Sequence, residues 1–276
     1  MSTRTDPQEI PLHGGDVTEG VVRVGDTVRR PMRASSPSVH ALLRHLEAAG
    51  FDGAPRVLGI DDLGREVLTF VEGKVPMRPL PDYAATDETL VELARLLRRF
   101  HDAAASFTPP PGALWEIGSA PDDAPELIGH CDVTPDNVVF REPRAVPGTS
   151  VRPVPYALID FDLARPTTRL FDVLTTLRHW APIDDPIDRD PLLRTADVGA
   201  RLRLFSDTYG LARRDRLRLL ELARVRFDRS YGHMRQKART VGGGWARMWS
   251  NGAGERIRRA ADWLDANEEA LRAHLV

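Results

Sequence analysis

The residues that could do chemistry are concentrated in "IGHCDVTPDNVVF", residues 128–140. Between its apolar runs this segment holds four polar side chains with reactive or ligating groups: His130, Asp132, Asp136 and Asn137. A second segment, "YALIDFDLARP", buries Asp160 in an apolar run. An ionised carboxylate surrounded by apolar side chains is costly unless a cation or a hydrogen-bond donor compensates it. The sequence therefore predicts a partner for these carboxylates.

Composition narrows the classes of protein. The 276 residues, 42% hydrophobic and 28% charged, are enough to bury one large core or two modest ones. The formal net charge of -2 gives no basic footprint, so nucleic acid and anionic membrane surfaces are not expected as partners. The N-terminal stretch lacks an apolar signal region, and no run of about eighteen apolar residues occurs. A cytoplasmic location is the expectation.

The single cysteine, Cys131, excludes an intramolecular disulfide and a cysteine-rich metal cluster. Its position beside Asp132 fits either a nucleophile or a small side chain in a tight loop, and the second interpretation is favoured. Among 38 basic residues only Lys74 and Lys237 are lysines. Any role that requires a lysine therefore has two candidates.

The elements around these motifs change in type along the chain. "GVVRVGDTVRR" predicts a hairpin with a turn at "GD", and residues 36–50 predict a helix with Ser36 as N-cap and Gly50 at its end. Residues 54–73 predict two more strands around "DDLG". Helices are then predicted over 86–105, 172–181, 193–209, 213–239 and 253–273, with a break at 241–254. The fold class is α+β, with a β-rich lobe over 1–75 and a helical lobe over 76–276.

The spacing of "HCDVTPDN" followed by "IDFD" resembles the catalytic loop and metal-binding segment of the aminoglycoside phosphotransferase and choline kinase-like group, which has the protein-kinase-like fold. The resemblance follows most of the chain in order: a glycine-containing hairpin, a helix, the "VEG" hinge, the "LLRRFH" helix, the loop, "IDFD" and a helical tail. It implies two lobes with a cleft between them. The alternative is a turn rich in Asp and Asn whose polar side chains are satisfied by backbone groups.

The resemblance implies transfer of a phosphoryl group from ATP, or from GTP, to a hydroxyl group with the help of Mg²⁺. Asp132 would accept or orient the proton of the acceptor hydroxyl, and His130 would brace the loop. Asn137 and Asp160 would bind magnesium. Carboxylate and amide oxygens are suitable ligands for Mg²⁺, and phosphoryl transfer depends mainly on positioning and charge neutralisation.

Three further aspartates have open interpretations. Asp162, at the place of the glycine in D-F-G, either contributes to the metal site or caps the next turn. Asp136 is more simply a solvated loop residue, and Asp172 an N-cap or loop brace rather than a ligand.

The nucleotide-binding residues depart from the family pattern. Arg29 and Arg30 stand in "TVRRP" where a lysine is expected, and alternation along a strand lets one of them face the cleft; spacing favours Arg30. Helix 36–50 has Val39 or His40 where the partner glutamate is expected, with Glu47 two turns on. The resemblance also assigns nucleotide contacts to Gly15 and Asp16 in "GGDVTEG" and to Glu72 in the hinge. A plain hairpin turn is the alternative for the glycine pair.

The sequence does not identify the molecule whose hydroxyl group accepts the phosphoryl group. Carboxylates near 184–188 and 268–269 predict either an acidic wall for a cationic aminosugar or ordinary solvated faces. Residues 230–252 mix basic and aromatic side chains, which would suit an anionic or peptide substrate; Tyr231, Trp245 and Trp249 are equally candidates for the core.

Three hypotheses about function follow. The first, which is favoured, is an O-phosphotransferase acting on a small molecule such as an antibiotic or other secondary metabolite, with a resistance role. The second is a kinase for a Ser or Thr hydroxyl in a peptide. The third is a non-catalytic kinase relative that serves as a binding or immunity module.

Overall fold

A computed structural model describes residues 8–12, 20–116, 123–143 and 152–276 of the chain. The N-terminal part is small and rich in strands, and the remainder is mostly helical. This is the α+β arrangement that the sequence predicts. The boundary at residues 75 and 76 stays a prediction.

Five described strands form the antiparallel N-terminal sheet in the order β1-β2-β3-β5-β4. They are β1 (Ile10–Pro11), β2 (Val22–Val24), β3 (Thr27–Pro31), β4 (Val57–Ile60) and β5 (Arg65–Thr69). Gly25 lies in the turn between β2 and β3 and has a φ of 59°, which glycine adopts at little energetic cost because it has no side chain. The two strands pair antiparallel, so the predicted hairpin is confirmed. The register of β3 and β5 pairs Arg30 with Glu66.

Helix α1 (Ser36–Ala48) lies between β3 and β4. Its buried side chains, Val39, Leu42, Leu43 and Leu46, have the spacing of one helical face. The helix begins one residue earlier than predicted, because Ser35 occupies the cap position and Pro37 lies in the first turn. Ser36 is therefore not the N-cap; its hydroxyl oxygen instead accepts a hydrogen bond from the backbone N–H of Arg33 at 3.0 Å. Gly50 follows the end of the helix with φ 78°, as predicted.

The segment that carries the polar motifs follows helix α2 (Asp87–Ala104), whose first turn is capped by the Thr86 hydroxyl. It contains β6 (Leu127–Gly129), β7 (Val138–Arg141), β8 (Val154–Leu158) and β9 (Arg165–Thr167). Strands β7 and β8 pair antiparallel, with Val138 opposite Leu158, and β6 pairs with β9. The first pairing places the end of "HCDVTPDN" beside the start of "IDFD", as the sequence predicts.

Five described helices follow: α3 (Arg169–Trp180), α4 (Val198–Tyr209), α5 (Arg213–Thr240), α6 (Gly243–Ser250) and α7 (Ala253–Leu275). Two predictions were wrong in detail. Helix α4 begins at its cap Asp197 rather than at residue 193, since the preceding residues form a separate 3-10 turn. The predicted break at 241–254 contains α6, because its glycines take positive φ at Gly242, Gly243 and Gly252 and leave the intervening residues free to form two helical turns.

The largest buried side chains are aromatic and lie on helices and on β7: Phe100, Phe140, Phe171, Trp180, Phe205 and Phe227. Together with the apolar faces of α1 and α2 they belong to one continuous core, which fixes the loops between the strands. Among the described residues, no helix is long and apolar enough to cross a membrane.

Candidate active site

The loop after β6 is held by a buried carboxylate. Asp172, on α3, accepts hydrogen bonds from the backbone N–H groups of His130 and Cys131, each at 2.8 Å, and from His101 Nε2 at 2.9 Å. Burial alone would raise the pKa of Asp172, but the His101 hydrogen bond and the nearby imidazoles outweigh it and hold the pKa below its usual range. Asp172 is thus a loop brace, one of the roles that the sequence favours for it.

The brace depends on close backbone packing. Gly129 precedes the loop, and a Cβ atom there would lie 2.5 Å from Thr167 Cγ2 and 2.7 Å from Asp172 Oδ2. Cys131 has a φ of 61°, which is uncommon for a residue with a side chain and is maintained here by the hydrogen bond to Asp172. Burial raises the pKa of the Cys131 thiol, so it is a poor nucleophile. This agrees with the interpretation of Cys131 as a structural residue.

His130 is fully buried and links the two motifs. Its Nε2 lies 3.0 Å from the Ile159 carbonyl oxygen, which can only accept, so Nε2 carries the proton. Burial lowers the pKa of His130, and its Nδ1 has no hydrogen-bond partner among the described residues. A neutral imidazole that joins the two loops is placed where it could brace them, and this role stays a prediction.

Asp132 and Asn137 form the centre of the site. Asn137 Nδ2 donates to Asp132 Oδ2 and to the Asp132 carbonyl oxygen, both at 2.9 Å, which fixes the direction of the carboxylate. The Asn137 carbonyl oxygen Oδ1 remains available as an acceptor. Burial, and then the negative charge of Asp160, raise the pKa of Asp132 to about 6. The carboxylate is therefore ionised at neutral pH and more basic than an ordinary aspartate.

Asp160 and Asp162 share a cation. Asp160, whose φ is 61°, accepts a hydrogen bond from Arg30 Nη1 at 3.1 Å through one of its oxygens. Arg30 Nη2 contacts Asp162 Oδ1, and Arg33 Nε lies 3.2 Å from Asp162 Oδ2. Arg30 therefore bridges two of the three residues that the sequence predicts as magnesium ligands.

Arg30 is held from behind by an acidic residue on the neighbouring strand. Its Nε donates to Glu66 Oε1 at 2.7 Å, and His40 Nε2 lies 2.5 Å from Glu66 Oε2. Burial favours the neutral form of both residues, but other contacts outweigh it. The hydrogen bond from His40 and the charge of Arg30 hold the pKa of Glu66 below its usual range. The charges of Asp160 and Glu66 raise the pKa of Arg30. Arg29, on the other face of β3, lies 3.4 Å from Asp61.

This arrangement supports the choice of Arg30 over Arg29 and explains the missing helix glutamate. The acidic partner has moved from the helix to β5, and His40 on α1 reaches it. Sequence reasoning missed Glu66, although a glutamate inside the apolar run "EVLTF" is a signal of buried pairing.

The donor set fits Mg²⁺ in part. Asn137 contacts Asp132 through Nδ2, which leaves its amide oxygen for a metal, and Asp160 has a second carboxylate oxygen besides the one that Arg30 contacts. Such oxygens are the ligands that Mg²⁺ prefers. Asp162 fits less well, because both its oxygens contact arginines. Within the part of the chain that the structure describes, no group of three or more His, Cys, Asp and Glu side chains is arranged to hold a metal without further ligands. Waters and nucleotide phosphates would have to supply the rest.

Gly15 and Asp16 lie outside the described residues. Glu72 follows β5, and its exposed carboxylate accepts a hydrogen bond from Arg23 at 2.6 Å, so its contact with a nucleotide stays a prediction. The next residue, Gly73, has a φ of 153°, and a Cβ atom there would lie 2.5 Å from the Phe140 carbonyl oxygen. This close approach joins the segment after β5 to β7 and explains the glycine in "VEG".

Three of the five acidic residues predicted as a wall for a cation pair with arginines. Asp188 accepts two hydrogen bonds from Arg259 at 2.8 and 2.7 Å, Asp184 pairs with Arg178, and Glu268 pairs with Arg224 and Arg272. Asp185 Oδ1 accepts the N–H of Ile187 in its own turn. Glu269 is exposed. These contacts support the interpretation as ion pairs and caps, although Asp184 and Asp188 are more buried than the predicted solvated faces.

The aromatic residues of the C-terminal region pack on one another. The rings of Tyr231 and Trp249 have centroids 5.3 Å apart, and Tyr231 also packs against the core. Trp245 packs on His233 at 5.6 Å. Tyr231 is thus the member of this group that contributes to the core.

Fold and site together have the features of the protein-kinase-like fold: a small antiparallel sheet with the buried cation Arg30 on its third strand, and a helical part with a braced H-x-D-x-x-x-x-N loop near Asp160. The model of the phosphotransferase enzyme family matches residues 12–117 and 113–205. The chain belongs to this family.

One curated relative is the trifolitoxin immunity protein of Rhizobium leguminosarum bv. trifolii, 36% identical over 214 residues that cover 75% of this chain and 76% of the relative. Solved structures are more distant. The microcompartment-associated aminopropanol kinase is 15% identical, with a TM-score of 0.58 over 98% of this chain and 95% of its own. The GDP complex of aminoglycoside 2'-phosphotransferase-IIIa is also 15% identical, with a TM-score of 0.52 over 99% and 95%. These structures show the shared fold.

Proposed function

We propose that this protein transfers the γ-phosphoryl group of ATP or GTP to a hydroxyl group of a small molecule, with Asp132 as the catalytic base. The observation that carries the proposal is the Asp132 carboxylate, aimed by the Asn137 amide at 2.9 Å and made more basic by burial and by Asp160. A base that is ionised at neutral pH and has a pKa near 6 suits proton removal from a hydroxyl group.

The reaction balances with the groups in the site. The acceptor oxygen bonds to the γ-phosphorus as its proton passes to the Asp132 carboxylate. The bond between the γ-phosphorus and the bridging oxygen breaks, and the nucleoside diphosphate leaves with that electron pair. Because the transition state is loose, most of the acceleration comes from positioning and charge neutralisation.

The cationic part of the site has two components. Asn137 and Asp160 would hold Mg²⁺, which supplies positive charge to the phosphates when it is bound. Arg30 takes the place of the lysine, and the Glu66 contact on its Nε leaves the two terminal nitrogens directed to the cleft side, where they now contact Asp160 and Asp162. An arginine cannot lose its charge at physiological pH, so this contribution is permanent.

Similar proteins support a small hydroxyl acceptor. Structural relatives include an aminopropanol kinase and an aminoglycoside phosphotransferase solved with GDP, and the curated relative is an immunity protein against trifolitoxin. An antibiotic or another secondary metabolite is therefore the acceptor class that we propose, with a Ser or Thr hydroxyl in a peptide as a variant of the same chemistry.

Calorimetric titration with ATP and GTP, each with and without Mg²⁺, tests the nucleotide site. Wild type should bind nucleotide in a magnesium-dependent manner, and Asp160→Ala should lose that dependence. Asp52→Ala is the matched control, since Asp52 forms an exposed ion pair with Arg99 far from the motif in sequence. Asp132→Asn should bind nucleotide nearly as wild type does but lose turnover; retained turnover would show that Asp132 is not the base.

One observation favours a second candidate, a non-catalytic binding or immunity module. Arg30 already neutralises Asp160 and Asp162, so the carboxylates of the motif have a partner without metal. A folded wild-type protein that binds neither nucleotide with Mg²⁺ would select this candidate over the enzyme.

A further inference from the structure

A chain of hydrogen bonds runs from the loop that carries Asp132 to the end of α4. Asp172, which accepts the backbone N–H groups of this loop, lies 2.9 Å from His101 Nε2. The other ring nitrogen, His101 Nδ1, lies 2.6 Å from the Tyr209 hydroxyl oxygen. All three side chains are buried. The loop is therefore connected through α3 and α2 to a helix that lies outside both sequence motifs.

The contacts at the two ring nitrogens of His101 define its tautomer. The pKa of Asp172 is held below its usual range, so this residue is an ionised carboxylate that can only accept, and His101 Nε2 must carry a proton. Burial raises the pKa of Tyr209 to about 12, so its hydroxyl group keeps its proton and can donate it to Nδ1. A neutral His101 with its hydrogen on Nε2 satisfies both contacts.

Tyr209 is itself fixed in position. Its ring stacks on Phe205, with centroids 6.4 Å apart and planes 9° from parallel, and its carbonyl oxygen accepts a hydrogen bond from Arg98 Nη1 at 3.2 Å. Arg169 lines the same surface cavity as Tyr209, and its guanidinium hydrogen-bonds the Tyr209 hydroxyl group. A guanidinium can only donate, so the tyrosine oxygen accepts there and its own proton is available to His101.

This order of donors and acceptors holds the loop. Without a donor at Nδ1, the proton of the neutral imidazole can move to Nδ1, and an unprotonated Nε2 then faces the Asp172 carboxylate. Two acceptors at that distance repel each other, so Asp172 would shift and its hydrogen bonds to His130 and Cys131 would weaken. The positive φ of Cys131 depends on that hydrogen bond, and Asp132 is the next residue.

We propose that Tyr209 and His101 are positioning residues for Asp132: the tyrosine hydroxyl group selects the Nε2–H tautomer of His101, which orients Asp172 and so holds the loop that carries the base. This inference rests on the proposed phosphotransferase function, since that function makes Asp132 the base. Tyr209 and His101 act through Asp172 rather than by contact with nucleotide or acceptor.

Two measurements on the full chain test this role. Nitrogen-15 NMR of labelled histidine reports the tautomer, and the spectrum of His101→Gln identifies the His101 signals. His101 should carry its proton on Nε2 in wild type and should be a mixture of tautomers in Tyr209→Phe, which removes only the hydroxyl group. Hydrogen exchange of the His130 and Cys131 amides should become about tenfold faster in Tyr209→Phe, while α1 exchanges at its wild-type rate.

Matched variants assign the effect to the chain of hydrogen bonds. Tyr231→Phe also removes a tyrosine hydroxyl group, one that contacts Arg258, and should change neither the tautomer nor the exchange of the loop. His101→Gln keeps an N–H group for Asp172 and should retain most of the protection of the loop. His101→Phe removes that donor and should lose at least as much protection as Tyr209→Phe. Circular dichroism of each variant verifies that it is folded.

Several results would overturn the proposal. They are an imidazolium or an Nδ1–H tautomer of His101 in wild type, unchanged exchange of the loop amides in Tyr209→Phe, or exchange that accelerates equally in α1. Calorimetry with nucleotide separates these results from the proposed function. Magnesium-dependent binding that requires Asp160 leaves the phosphotransferase standing when the positioning role fails, and a wild-type protein that binds no nucleotide removes the phosphotransferase whatever the exchange of the loop.

Discussion

The buried partner of Arg30 offers the sharpest test of the site. Glu66 is 1% exposed and Arg30 8% exposed, and Glu66 receives one hydrogen bond from Arg30 and contacts His40. Glu66→Gln keeps the shape of the side chain but removes the charge and places an amide N–H₂ against one of the two partners. The substitution therefore breaks a charge network while it changes the packing little.

The expected cost follows from these contacts. A hydrogen bond to a charged group contributes about 1.5–3 kcal/mol, and removal of one partner of a buried ion pair costs about 3–5 kcal/mol. The amide oxygen of glutamine still accepts one bond, and Arg30 keeps Asp160 and Asp162 as counter-charges. We expect Glu66→Gln to lower the free energy of unfolding by about 2–4 kcal/mol at pH 7.

Urea denaturation of wild type and variants measures this loss. The matched control is Glu142→Gln, because Glu142 pairs with Lys74 at 3.0 Å with both side chains about 60% exposed, and such pairs contribute about 0–1 kcal/mol. A loss for Glu66→Gln within about 1 kcal/mol of that for Glu142→Gln would refute the account of the buried network.

The same experiment has a pH dependence of known sign. Because the pKa of Glu66 is lowered by folding, its contribution is present above the pKa of the unfolded chain, 4.5, and is lost as the pH falls through the folded value. The difference between wild type and Glu66→Gln should therefore shrink on acidification below pH 4.5. A difference that grows there would contradict the assigned charges.

Two other substitutions have defined outcomes. Asp132 has its pKa raised from 3.8 to about 6, so the charged form destabilises the folded protein as pH rises. Relative to wild type, Asp132→Asn should therefore gain free energy of unfolding as the pH rises from 4 to 6, by at most about 3 kcal/mol at 1.36 kcal/mol per pKa unit, and the difference should stay constant above pH 6. Urea titrations that show the same difference at pH 4 and pH 6 would contradict the buried carboxylate. Asp172→Asn should lower stability by about 2–4 kcal/mol, since its amide would face an N–H of the loop, and should lower turnover more than nucleotide affinity. Wild-type turnover at reduced stability would mean that the brace does not position Asp132.

Much of the architecture is local and was predictable. The "GD" hairpin, the apolar face of α1 and the pairing of β7 with β8 depend on residues within a few positions or one short loop of each other, so periodicity and turn chemistry specify them. The placement of Asp132 and Asn137 in one loop follows from the five-residue separation for the same reason.

The glycine-rich stretch at 241–254 shows the limit of local rules. Its glycines predicted a break without structure, and α6 forms because they adopt positive φ only at the ends of that short helix. Gly254 packs directly against the Trp249 ring, and a Cβ atom on residue 254 would lie 2.7 Å from that ring. Only the tertiary structure reveals this requirement for glycine. Glycine content alone does not reveal such a contact.

The sequence by itself indicated the family of the chain, the order of its elements except α6, and the grouping of His130, Asp132, Asn137 and Asp160. The tertiary structure decided their partners. Glu66 reaches Arg30 through the register of β3 and β5, 36 residues apart, and Asp172 reaches Cys131 from α3, 41 residues away. Charge pairs across such separations depend on strand register and helix packing, and no local pattern encodes them.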